Sequence, residues 1–156
     1  MGSSTRVSKV RLVSVFILIS MLALSILPQH RASAAGIVVN SIADDDDANI
    51  PDGICATSNG DCTLRAAIQT ANINAGTDTI TFDSGVFSSP QTITITSDMI
   101  HIADHTTITG PGTNYLTISG ADNFQPFYAL YGVNLASSDL TITQGLAIFA
   151  GGGAIY

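Results

Sequence analysis

The chain of 156 residues contains no Trp, and beyond position 34 it has no Lys, no Glu and a single Arg, Arg65. All twelve acids lie in that same stretch and all are Asp, so with His neutral it carries a net charge of −11. A surface so anionic repels phosphate backbones and anionic lipid, because binding either needs Lys and Arg to displace counterions. Nucleic acid is excluded as a partner. Cysteine is scarce, with only Cys55 and Cys62, and no long apolar run follows residue 27, so no transmembrane span is expected beyond the leader. What is abundant instead is Thr and Ile, 16 of each after position 34. These β-branched residues suit a pleated surface and point to an all-β body.

Arg6, Lys9 and Arg11 precede an apolar run from Leu12 to Leu27, which ends at Pro28 and the small residues Ala32-Ser33-Ala34. That is the pattern of a secretory signal peptide, residues 1–34, cleaved before Ala35. An uncleaved N-terminal anchor is the alternative, although 16 residues is short of the roughly 20 that span a bilayer. Removing the leader leaves 122 residues, enough for one modest domain. Export places Cys55 and Cys62 in an oxidising compartment, where they are expected to form one disulfide. A zinc site would need further ligands, and no His stands close by in sequence.

After a short strand, Ile37-Val38-Val39, the chain enters an acidic, turn-rich segment from Asp44 to Asp61. One helix follows. With Asp61 or Thr63 as N-cap, Leu64, Ala67, Ile68 and Ala71 recur at i, i+3, i+4 and i+7, and Gly76 provides a stop, predicting an amphipathic helix of about three turns. Arg65, Gln69, Asn72 and Asn74 fall on its polar face. Everything beyond reads as short strands: Thr79–Phe82, Thr92–Thr96, Ile100–Ile102, Thr107–Thr109, Leu116–Ser119 and Leu140–Thr143. The segments resemble one another at irregular spacing, and after Gly76 no Asn-Gly or Asp-Gly pair marks a hairpin. An antiparallel sandwich is therefore disfavoured against a parallel β-solenoid, with Ile93, Ile95, Ile108, Ile118 and Ile142 stacked inward and the small-residue helix covering the first open edge. The terminal Gly151-Gly152-Gly153-Ala154-Ile155-Tyr156 reads as a strand beginning, so the sequence is expected to belong to a longer protein.

Cys62-Thr63-Leu64-Arg65-Ala66-Ala67-Ile68, followed by Ala71-Asn72 and Asp78-Thr79-Ile80-Thr81-Phe82, resembles the CSLREA-motif region of secreted right-handed parallel β-helix proteins. Val38-Val39-Asn40-Ser41, Ile108-Thr109-Gly110-Pro111-Gly112, Leu116-Thr117-Ile118-Ser119-Gly120 and the closing Gly-rich stretch are similar too. Departures are Thr63 in place of Ser and Ala66 in place of Glu, so an ion pair of Arg65 must involve an Asp. The resemblance implies a right-handed β-helix, an exported or cell-surface setting akin to polymorphic outer-membrane proteins, and a structural or adhesive role with no catalytic residues.

Parallel β-helices also serve pectate lyases and polygalacturonases, so a carbohydrate-active enzyme with its site in further coils is the alternative. Lyases need a basic group beside the uronate, and the body offers only Arg65. Hydrolases need paired carboxylates, whereas Asp98, Asp104, Asp122 and Asp139 stand singly at turns, where Asp is favoured for its backbone hydrogen bonds. His101 and His105 lie four apart in strand and turn, roughly 13 Å along a strand and too far to share an ion. Asp44, Asp45, Asp46, Asp47 and Asp52, with Asn49 and Asp61, supply hard oxygens for calcium, yet EF-hand spacing and its closing Glu are lacking. A solvated acidic loop is the simpler expectation. The organisation expected is thus a signal peptide (1–34), a strand, acidic loop and capping helix (35–76), and the first coils of a β-helix (77–156). No cofactor is required, and the partner is an unspecified surface ligand or protein.

Overall fold

The computed structural model describes Ala34 and residues 36–146. Residues 1–33 of the expected leader, Ala35 at its expected cleavage point and the terminal Gly-rich stretch lie outside the described residues. Nine strands and one helix follow in order: β1 (Gly36–Val39), α1 (Leu64–Ala71), β2 (Asp78–Phe82), β3 (Gln91–Thr94), β4 (Ile100–Ile102), β5 (Thr106–Thr109), β6 (Leu116–Ser119), β7 (Phe127–Ala129), β8 (Leu135–Ser138) and β9 (Thr141–Thr143). A 3-10 turn, Ile50–Asp52, lies in the acidic segment. Among the described residues no helix is long and apolar enough to cross a membrane.

Every strand pairing among the described residues is parallel, which removes the antiparallel sandwich. Three sheets result, ordered β1-β2-β5-β8, β3-β6-β9 and β4-β7. From β2 onward the chain visits first, second and third sheet in fixed rotation, returning to each after 24 to 29 residues, as in Asp78 opposite Thr106 and Thr117 opposite Thr141. Parallel neighbours cannot be joined by a tight hairpin, so connections of this length are what the pairing demands.

Register aligns like with like. Ile37, Ile80 and Ile108 stand in line across the first sheet, and Ile93, Ile118 and Ile142 across the second. The inward Ile residues therefore form two ladders, not one, because Ile108 belongs to a different sheet from Ile93 and Ile118. Ile142 is only partly buried, while Ile93, Ile95, Ile108 and Ile118 are fully enclosed. Phe87 and Phe127 complete the core, Phe87 meeting Phe82 edge-on at 5.1 Å between ring centroids. Burying each such side chain contributes about 1.5–3 kcal/mol.

Glycine is required where successive turns stack. A Cβ on Gly110 would collide with the Asp139 carbonyl, and one on Gly120 with the carbonyls of Phe124 and Gln144. These are the glycines of the Thr-Gly and Ser-Gly pairs that recur in the sequence.

Helix α1 has eight residues, just over two turns. Thr63 is its N-cap, its hydroxyl accepting from the Ala66 amide at 3.0 Å. The helix ends at Ala71 with Asn72 as C-cap, four residues before Gly76, and the Asn72 side chain reaches β4. Seven of its residues, Arg65 included, are buried, and only Gln69 is partly exposed. The sequence placed Arg65 on the polar face of the helix, and the acidic segment lies over that face.

Candidate functional site

The features with chemical potential converge on α1 and the acidic segment around it. Asp44 is the centre. Its carboxylate accepts from Arg65 Nε and Nη2, both at 3.0 Å, and from the Thr96 amide at 2.8 Å, with the Thr96 and Ser97 hydroxyls farther off. Both side chains of this ion pair are nearly inaccessible, Arg65 at 7% and Asp44 at 2%. Arg65 Nη2 also donates to the Asp98 carbonyl at 2.6 Å. Arg65 thus ties helix α1 to Asp44 and to the Asp98 carbonyl just before β4.

The other acids act in the same way. Asp47 is buried and accepts from the Thr70 hydroxyl at 3.0 Å, while its own amide donates to Gln69 Oε1 at 2.7 Å. Asp46 accepts from Gln69 Nε2 at 2.6 Å, and Asp52 from Asn49 Nδ2 and the Ile54 amide. The Asp45 carbonyl accepts from the Thr63 hydroxyl. Asp61 accepts from the Thr57 hydroxyl, and hydrogen bonds from Ser41 and Thr57 hold its carboxyl below the ordinary value. Asp44 and Asp47 correct the expectation of a solvated loop: helix donors draw them inward. Among the described residues no group of three or more His, Cys, Asp or Glu side chains is arranged to hold a metal ion. Of the five Asp residues considered for calcium, Asp44, Asp46, Asp47 and Asp52 direct their carboxylates to separate protein donors, and Asp45 engages Thr63 through its carbonyl.

Cys55 and Cys62 form a disulfide, Cα–Cα 5.3 Å, that fastens this segment just upstream of α1. Asn72 supplies a feature that sequence reading missed. Its Nδ2 donates to the His101 carbonyl at 2.8 Å and its Oδ1 accepts from the Ala103 amide at 2.7 Å. One side-chain amide therefore meets the margin of β4 as a neighbouring peptide group would. Asn residues before a helix stop usually signal a cap, and nothing local in the sequence shows that this one meets β4.

His101 is exposed on β4, its ring tilted against Tyr128 at 5.4 Å, and His105 Nδ1 accepts from the Asn134 amide at 3.0 Å. Asp98 and Asp104 accept from the following amides, Met99 and His105, while Asp122 and Asp139 adopt left-handed turn conformations. These four carboxylates stand at turns, as their sequence context indicated. Leu64, Ala67, Ile68 and Ala71 all enter the core, and α1 packs on β4, β1 and β2. No family model, curated protein or solved structure matches the chain.

Proposed function

We propose that this chain is the capped N-terminal portion of an exported right-handed parallel β-helix protein, acting as a non-catalytic structural or adhesive scaffold at the cell surface or outside the cell. The observation that carries the reading is the fixed rotation of parallel strands among three sheets, with like residues in register. Each return to a sheet buries one more rung against the last, which is how a solenoid builds a continuous core. Crossovers between parallel strands are overwhelmingly right-handed, which supports the hand. Helix α1 and Asn72 shield the margin of β4, a familiar need of any open sheet edge, and the disulfide fastens the segment just before the helix. The disulfide suits an oxidising compartment, in keeping with the leader-like N-terminus.

Arg65 is bound to Asp44, and the turn carboxylates accept from backbone amides or shape turns, so the described residues offer a framework more readily than a reaction centre. The test is incubation of the full chain, expressed in an exporting host, with polygalacturonate and pectate while following reducing ends and unsaturated products. The expected result is export of the protein with no turnover. Release of either product would favour the carbohydrate-active alternative, and retention in the cytoplasm would remove the exported scaffold.

A further inference from the structure

We propose that the outer margin of β1 is a docking edge for an extended, Lys- or Arg-bearing peptide segment of a partner protein, which adds there as a strand. Among the described residues β1 stands at the end of the first sheet, with β2 on one side and no strand on the other. The Val39 carbonyl accepts from the Asp83 amide at 2.8 Å within the ladder, so strand alternation turns the N–H and C=O of Val38 away from β2. On that side lies a cavity of about 280 Å³, with Gly36 to Val38 as one wall and Gly53, Cys55 and Asn74 among the residues opposite. No β2 residue lines it. The bond from the Asn40 amide to the Cys62 carbonyl, 3.0 Å, ties the two walls together at one end.

The size of the cavity narrows what it can hold. It falls just under the roughly 300 Å³ at which small-molecule clefts begin. One or two side chains of an added strand fit such a volume, with the remaining affinity coming from main-chain bonds to the sheet margin. Val38, Ile54 and Ile73 are exposed apolar side chains on or next to the lining segments and would meet the apolar face of that strand. Charge decides between occupants. Arg65 is the sole Lys or Arg beyond residue 34 and is buried on Asp44, whereas Asp52 and Asp61 adjoin the lining residues Gly53 and Cys62. A body of net charge −11 repels a second copy of itself and attracts a basic segment. The edge needs only β1 and its surroundings, so it stands whether or not the β-helix reading does.

The experiment titrates the full chain, expressed in an exporting host, against three labelled peptides by fluorescence anisotropy. They are Lys-Val-Thr-Val-Thr-Lys, its Asp-ended counterpart, and the basic peptide N-methylated at alternate residues. The basic peptide should bind, slow hydrogen exchange at the Val38 amide about tenfold, and weaken severalfold as salt rises to about 0.5 M. The acidic and N-methylated peptides should bind about tenfold more weakly or not at all. Val38→Pro removes the outward N–H but no ladder bond, a substitution that sheet margins tolerate, and should cut binding about tenfold with the melting temperature kept. Should that variant fail to fold, the N-methylated peptide makes the same test from the ligand side. Equal binding of the acidic or N-methylated peptide, no binding at millimolar concentration, or unchanged Val38 exchange would overturn the proposal. So would a dimer of the chain alone that protects Val38.

Discussion

Replacing Arg65 by Met probes whether the cap is held by a buried ion pair or merely decorated by one. The guanidinium makes two hydrogen bonds to Asp44 and one to the Asp98 carbonyl. Met keeps most of the packed volume but leaves the Asp44 carboxylate, 2% exposed, without its countercharge. Removing one partner of a buried pair costs about 3–5 kcal/mol, against about 0–1 for a solvated surface pair. The Thr96 amide still donates to Asp44 at 2.8 Å, and Asp98 is at the surface, where water replaces the lost donor. The loss is therefore expected near the lower limit, about 3 kcal/mol. For a domain of this size that corresponds to a fall of about 12 °C in Tm, at about 4 °C per kcal/mol. Thermal unfolding followed by circular dichroism reads it directly. Arg65→Met combined with Asp44→Leu removes both charges and should recover most of the loss, giving a coupling energy well above 1 kcal/mol. A single-variant shift below about 4 °C, or additive losses, would refute the reasoning and class the pair with ordinary surface bridges.

Three further outcomes are expected. Gly120→Ala places a methyl group against the Phe124 and Gln144 carbonyls and should destabilise by about 1–3 kcal/mol or more in urea melts, whereas an Ala at exposed Gly36, where an added methyl meets nothing, changes no such packing. Cys55→Ser with Cys62→Ser, or reduction of the disulfide, should cost roughly 2.5 kcal/mol by loop closure, read as a lower urea midpoint. Because the Asp61 carboxyl titrates below its ordinary 3.8 when folded, its contribution is present above that value and is lost as pH falls through the lower folded value. Asp61→Asn should accordingly flatten the acid limb of a stability-against-pH curve below about pH 4, and an unchanged slope would contradict the assignment.

The sequence announced the parts of the fold that rest on local chemistry. Alternating Thr and Ile mark β2, β3, β5, β6 and β9, the absence of hairpin turns after Gly76 points to parallel pairing, and Thr63 starts α1 by an ordinary capping bond. Two strands stayed hidden. β7 (Phe127–Ala129) and β8 (Leu135–Ser138) have little β-branched alternation, and they are strands because β4 and β5 beneath them present a template in register. Long-range packing also moved Arg65 from a polar helix face to the interior, since helix periodicity cannot show that a segment 20 residues upstream will lie over that face. The same holds for the candidate site. That the partner of Arg65 is an Asp followed from composition; that it is Asp44, shared with Thr96, followed only from the fold. The helix closes at Asn72, four residues short of the Gly76 stop.

Parallel stacking in rotation is the premise on which the scaffold reading stands, and nuclear Overhauser contacts on the labelled full chain test it most directly. Amide-to-Hα contacts should link the neighbourhood of Thr92 to Thr117 and Thr117 to Thr141, and that of Thr79 to Thr107 and Thr107 to Ala136, without close Hα–Hα pairs. Strong Hα–Hα contacts between sequence-adjacent strands such as β2 and β3 would show antiparallel pairing and contradict it.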